Sequence, residues 1–252
     1  MKQRIKYLRI SKAVKFFEER WKTKYDLVSL DSIQVNEPVF MVGLYNNKPD
    51  YEFIKKYKGP ILLRWCGSDA KSLRKDKVDL IKSFKNIKHI SISRFISKRL
   101  KYFGIDFIEL PLTSTNINLN PAPLGDSVYF YGGSKHGEEF VGEIERRTGL
   151  NIIKTKLDTY SKEELLEIYE RCFIGLRFTK FDGLSNTVLE LGLMGRKCIY
   201  NGGLPHNIEW DGIDDICENI MKEYENREKT DYNKISQDFK KFLDIGDDWL
   251  KI

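Results

Sequence analysis

At 252 residues, 41% hydrophobic and 32% charged, the chain is long enough for two domains of roughly 110–130 residues, near the usual domain size. No run of about 18 apolar residues is present, which excludes a hydrophobic transmembrane helix, and the basic start Met-Lys-Gln-Arg lacks the apolar core and cleavage site of a signal peptide. The net charge of +6 hides an asymmetry. Residues 1–112 hold 25 Lys and Arg against 12 Asp and Glu, a net +13, whereas residues 113–252 hold 18 against 25, a net −7. Such a split suggests different partners for the two halves. Four dispersed cysteines with no CxxC pair, and only three histidines, argue against a structural zinc site and for free thiols in a reducing cytoplasm.

Taken in order, residues 4–10 read as a strand. Ser11 then stands at the cap position of a helix carrying Val14, Phe17 and Trp21. Short apolar strands are expected over 25–30 and 39–45, a helix from Pro49-Asp50, and a buried strand over 60–65 that runs into the loop Cys66-Gly67-Ser68-Asp69. A helix over 77–86, a strand over 89–93, a helix over 94–103 and a strand over 106–112 complete the first half. Residues 113–125, polar and with two prolines, read as a linker. The pattern then restarts. A strand over 127–131 ends in Gly132-Gly133-Ser134-Lys135. A helix over 137–148 stops at Gly149, and a strand spans 151–155. Ser161 opens a helix with a capping box. A strand over 172–178, a helix from Ser185 to Met194, a strand over 197–201 and helices over 212–226 and 231–245 follow. The alternation predicts an α/β chain: two Rossmann-like, doubly wound domains, 1–112 and 126–252, joined by 113–125 and facing across a cleft. Ligands of such sheets sit beyond the carboxyl ends of strands, so the loops 66–69, 132–136, 179–187 and 201–206 are the places to look.

The sharpest local signal is Gly175-Leu-Arg-Phe-Thr-Lys-Phe-Asp-Gly-Leu-Ser-Asn-Thr-Val-Leu-Glu-Leu-Gly-Leu-Met-Gly-Arg-Lys. A strand ends in a loop that opens a helix near Ser185, whose first amides have no partners within the helix and can hold a phosphate. Gly183 allows close backbone approach. Arg177 and Lys180 can neutralise a diphosphate, and Glu190, about one and a half turns into the helix, can accept hydrogen bonds from two ribose hydroxyls. His136 and His206 read as ordinary hydrogen-bonded histidines, Trp65 as core, and Asp69 equally as a turn cap or a base.

In this segment the chain resembles the retaining glycosyltransferases of family 4 and their GT-B relatives. Their hallmark is an acidic residue, seven intervening residues and a glutamate around a Gly-containing turn, closed by small-residue–Gly–Lys-like text before a strand. Here Asp182, seven residues and Glu190 are followed by Gly195-Arg196-Lys197. The resemblance implies that Glu190 holds the ribose, that the amides of Leu184, Ser185, Asn186 and Thr187 hold the phosphates, and that Asp182, in place of the usual glutamate, faces the donor sugar. The Gly132, Gly133, Ser134, Lys135 turn is similar to the phosphate loop after the first donor-domain strand. Trp65-Cys66-Gly67-Ser68-Asp69 is similar to text in some acceptor domains. The Gly-rich loop that many relatives carry after their first strand is absent.

The implied activity moves a sugar from a nucleoside diphosphate sugar to a glycan or lipid-linked acceptor. Arg177, Lys180 and the helix amides would stabilise the leaving diphosphate, so no metal or further cofactor is expected. In a retaining reaction the leaving phosphate takes the acceptor's proton; in an inverting one Asp69 is the best base. The basic half is expected to meet an anionic partner. Nine Lys and Arg within 2–24 interleave with Ile5, Leu8, Phe16, Phe17 and Trp21, which suits a cytoplasmic protein peripheral to a membrane surface. DNA is the other anionic partner, which keeps open a transferase acting on modified bases or an inactive nucleic-acid-binding module on the same fold.

Overall fold

The computed structural model describes residues 3–30, 36–132, 137–156 and 159–251. The chain packs as two units. Unit 1 comprises Met1–Ser114, Phe181–Leu184 and Ile245–Ile252, and unit 2 comprises Thr115–Lys180 and Ser185–Asp244. Two short segments thus leave the sequential division expected from composition. Phe181–Leu184 belongs to unit 1, and the C-terminal tail returns to it. There Ile5 N–H donates to the Leu250 carbonyl at 2.7 Å, and Trp249 meets Phe40 and Tyr25 edge-on.

Unit 1 contains β1 (Tyr7–Ile10), a 3-10 turn over Lys12–Phe17, α1 (Glu18–Tyr25), β2 (Val28–Ser29), β3 (Val39–Val42), α2 (Lys48–Lys56) and β4 (Ile61–Arg64). It continues through α3 (Ser68–Lys71), α4 (Lys75–Ser83), β5 (Ile87–Ser91), α5 (Arg94–Tyr102) and β6 (Phe107–Glu109). The six strands are parallel in the order β2-β1-β3-β4-β5-β6. β3 and β4 are buried on both faces, which is why they read as unbroken apolar runs rather than as alternation. Two local readings change. The expected strand over 25–30 shrinks to two residues because Tyr25 closes α1 and Asp26 adopts a left-handed conformation (φ 53°). Ser11 stands at the N-cap position of the 3-10 turn but makes no side-chain cap; its hydroxyl donates to Asp50 Oδ2 at 2.6 Å.

Unit 2 contains β7 (Ser127–Tyr131), α6 (Glu138–Thr148), β8 (Ile152–Thr155), α7 (Lys162–Glu170), β9 (Cys172–Leu176), α8 (Asn186–Leu193), β10 (Lys197–Ile199), α9 (Ile213–Asn226) and α10 (Tyr232–Leu243). Its strands are parallel in the order β10-β9-β7-β8. Ser161 forms the capping box with Glu164, and Gly149 closes α6 in the left-handed conformation. Val128, Phe130, Ile144, Ile174, Leu176, Ile199, Ile216 and Ile220 form one buried core, each such side chain stabilising the fold by about 1.5–3 kcal/mol.

Arg196 is fully buried without a carboxylate partner. Its guanidinium donates to the carbonyls of Ala122 (2.8 Å), Pro123 (2.6 Å), Tyr169 (3.0 Å), Glu170 (3.1 Å), Cys172 (3.2 Å) and Met194. It ties residues 122–123 of the polar connection to the α7–β9 turn and the end of α8. Burial lowers its pKa to about 10. Among the described residues no helix is long and apolar enough to cross a membrane.

Candidate functional site

In unit 2 the chain order reverses at β7, which has β8 on one side and β9 on the other. A crevice for ligand is expected beyond the carboxyl ends of β7 and β9 at such a reversal. The residues just past those ends are Gly132 after β7 and Arg177 to Lys180 after β9. Gly132 N–H donates to the Thr155 carbonyl at 2.6 Å, and a Cβ on Gly132 would stand 2.9 Å from that oxygen, so the backbone at Gly132 lies close against the end of β8. Arg177 holds its guanidinium 5.5 Å from the Tyr131 ring centroid, a cation–π contact at the strand ends. Lys180 is exposed. Gly133, Ser134 and Lys135, together with His136, lie outside the described residues.

The helix that follows β9 starts as its sequence requires. Ser185 is the N-cap of α8, and its hydroxyl accepts from Val188 N–H at 3.4 Å. Asn186 and Thr187 follow in the first turn, where the helix dipole adds positive potential. The Asn186 side-chain oxygen accepts from Thr115 Oγ1 at 3.0 Å.

Glu190 is buried, 6% exposed. Its Oε1 pairs with Lys162 Nζ at 2.5 Å, and its Oε2 accepts from the Tyr169 hydroxyl at 3.4 Å. Tyr169 meets Tyr129 edge-on, and the Tyr129 hydroxyl lies 2.7 Å from Thr155 Oγ1. A buried polar chain therefore runs from the end of β8 across β7 and α7 to α8. Burial raises the pKa of Tyr129 to about 12 and that of Tyr169 further, which keeps both phenols neutral as donors. A carboxylate has about four acceptor positions; two are taken here. Lys162, Tyr169 and Tyr129 were missed in the sequence. The available signal was Lys162 itself: a cation at the first position of a helix opposes the dipole and calls for a carboxylate nearby.

The remaining sequence-selected residues lie in unit 1. Asp69 is 1% exposed, and its carboxylate accepts from the backbone N–H groups of Leu44, Cys66, Gly67 and Ala70 at 2.8–3.1 Å. Burial raises its pKa while these four donors pull it down. The carboxylate organises the loop between β4 and α3. Asp182 Oδ1 accepts from Gly183 N–H at 2.9 Å, and the Asp182 carbonyl accepts from Ser93 Oγ at 3.0 Å. A Cβ on Gly183 would stand 2.1 Å from the Cys66 carbonyl oxygen, so the close approach this glycine allows is to the Cys66–Gly67 backbone. Leu184 is buried. Among the described residues no group of three or more His, Cys, Asp or Glu is placed to hold a metal ion.

No family model matches the sequence, and no curated protein matches it. Solved structures do. A glycosyltransferase from Rickettsia africae ESF-5 superposes with a TM-score of 0.63 at 12% identity, covering 96% of this chain and 93% of that one. TarM from S. aureus, as a mutant solved with fondaparinux, alpha-GlcNAc-glycerol and UDP, gives 0.60 at 9% identity over 84% of this chain and 53% of its own. Sucrose-phosphate synthase from Thermosynechococcus elongatus gives 0.59 at 10% identity over 91% and 72%. With two parallel, doubly wound sheets in one chain, the protein has the α/β fold of paired Rossmann-like domains found in glycosyltransferases of GT-B type.

Proposed function

We propose that the protein is a glycosyltransferase that binds a nucleoside diphosphate sugar at the carboxyl edge of the unit 2 sheet and passes the sugar to a glycan or lipid-linked acceptor. What supports this reading is the order of elements at the unit 2 chain reversal: Arg177 follows β9, a capped helix start at Ser185 comes next, and that helix carries the buried carboxylate of Glu190. Arg177, Lys180, the Gly132–Lys135 segment and the start of α8 take the diphosphate. Positive groups already in place stabilise the charge that develops on the leaving group. Glu190 takes the ribose through its two unused acceptor positions.

The reaction is retaining and metal-independent, as in the family 4 enzymes that the motif resembles. A retaining route in which the departing phosphate accepts the proton needs no strong base. That fits an Asp69 carboxylate already held by four backbone donors, and Asp69 then acts as a positioning residue for its loop. UDP is the first nucleotide to try, because TarM was solved with it. The acceptor side is basic, and Phe16 stands 72% exposed near the exposed Lys12 and Lys15, a combination suited to an anionic lipid surface.

A thermal-shift panel of UDP-, GDP-, ADP- and dTDP-sugars tests the donor reading, since a bound ligand raises stability by mass action, about 2.7 kcal/mol at 100 times Kd. One nucleotide should stand apart, and Glu190→Gln should reduce its shift by about half or more, the effect of a tenfold weaker Kd. A flat panel, or a shift untouched by Glu190→Gln in a folded variant, would leave Glu190 as one half of a structural ion pair.

A further inference from the structure

Unit 1 has its own chain reversal, at β1, which has β2 on one side and β3 on the other. Beyond the carboxyl ends of β1 and β3 opens a pocket of about 570 Å³ lined by Arg9, Lys12, Ala13, Asn47, Pro49 and Asp50. None of these residues belongs to the donor site described above. Arg9, the penultimate residue of β1, lays its guanidinium over the Phe53 ring, 5.3 Å from the centroid. Its Nε is buried without a hydrogen-bond partner. Lys12 follows on the 3-10 turn, exposed. Asp50, also lining the pocket, is 1% exposed. Its Oδ2 accepts from Ser11 Oγ (2.6 Å), Asn47 Nδ2 (2.8 Å) and Tyr45 N–H (3.1 Å), and none of these bonds reaches Oδ1. Asn47 Oδ1 accepts from Asp50 N–H at 2.9 Å.

A buried, unpaired guanidinium nitrogen is costly unless a ligand completes it. A guanidinium and an ammonium converging on one cavity match a phosphate, for which Arg supplies a planar fork and Lys a point charge. A carboxylate and an amide lining the same cavity match hydroxyl groups. We infer that this pocket binds the phosphate ester of a small polyol, with Arg9 and Lys12 on the phosphate and Asp50 and Asn47 on the hydroxyls, and that it holds the anionic unit of the acceptor. The last clause rests on the transferase reading; the pocket itself does not. The same chemistry is presented by a soluble ester and by a glycerophospholipid headgroup.

The test titrates the full chain at low salt with glycerol 3-phosphate, inorganic phosphate and UDP, and measures sedimentation with vesicles of phosphatidylglycerol or phosphatidylcholine. Glycerol 3-phosphate should bind more tightly than inorganic phosphate. Arg9→Met should weaken it roughly tenfold or more, the scale of one charge-assisted hydrogen bond. Arg9→Lys should weaken it less, and Lys12→Met, at an exposed position that tolerates substitution, should also weaken it. UDP affinity should stay unchanged in all three. If only phosphatidylglycerol vesicles bind, and Arg9→Met releases them, the ester is a lipid headgroup. Equal binding of both soluble phosphates overturns the polyol assignment. Indifference of every probe to Arg9 and Lys12 overturns the pocket. Failure of UDP to bind, with the Arg9-dependent ester retained, sinks the donor reading alone.

Discussion

Two buried carboxylates, one in each unit, are held in opposite ways. Asp69, in the loop between β4 and α3 of unit 1, is surrounded by four backbone N–H groups. Glu190, in α8 of unit 2, meets only side chains, Lys162 and Tyr169. Backbone donors cannot leave without the loop unfolding, so the first carboxylate is part of the architecture. Side-chain partners can be given up without unfolding a loop, so on the proposed reading the second carboxylate is the one that would exchange a partner for a ligand. Burial alone therefore does not separate a structural charge from a binding one; the mobility of its partners does.

The same contrast extends to Arg196, which unit 2 wraps in backbone carbonyls as unit 1 wraps Asp69 in amides. The largest expected effect is there. Arg196→Ala should cost about 4–5 kcal/mol, because several buried carbonyls lose their donor at once, and Arg196→Lys should recover only part of it. Chemical denaturation read by circular dichroism measures both, and a loss below about 1 kcal/mol would contradict the structural role. Asp69→Ala comes next, at about 3 kcal/mol for stranding four N–H groups. Asp69→Asn should be milder, since one oxygen remains, and the binding of a nucleotide-sugar by the folded fraction should not change.

Acid should distinguish the two units. His89 on β5 is 8% exposed, and burial lowers its pKa to about 4 from the ordinary value of about 6.5. The unfolded chain therefore takes up the proton first as pH falls. The stability from the neutral imidazole is complete above about pH 6.5 and lost progressively down to pH 4, about 3 kcal/mol in all. Unit 2 buries no histidine among its described residues. Urea melts at pH 7 and pH 4.5 should show unit 1 weakening more, and His89→Leu should flatten that slope; an unaltered slope would exclude His89 as its cause. The smallest effect on stability should be Glu190→Gln, about 1 kcal/mol, alongside a tenfold or larger loss of nucleotide-sugar affinity by calorimetry, since a neutral amide accepts hydroxyl hydrogen bonds more weakly than a carboxylate. The inverse pattern, large instability with intact binding, would make Glu190 a counterpart of Asp69.

Local chemistry was legible because it is short-ranged. Periodicity marked the β/α alternation. Gly149 and the Ser161 box set helix ends through φ and one hydrogen bond each, and Ser185 set the start of α8 in the same way. The strand expected over 25–30 was read too long because Tyr25, at the end of α1, is buried by packing and not by strand pairing. The two-residue β2 could not be told from its flanks, since hydrophobicity reports burial and not pairing.

By itself the sequence determined the doubly wound α/β class, the loops that stand at strand ends, and the charge of each half, all properties of nearest neighbours along the chain or of composition. Tertiary structure decided the rest. It brought Lys162 and Tyr169 to Glu190 and six carbonyls to Arg196. It turned Ser11 toward Asp50 and opened a pocket between the ends of β1 and β3. Apart from the Arg196–Met194 contact, these hydrogen bonds join residues 21 to 74 positions apart, and only strand order and helix packing choose among the partners such distances allow.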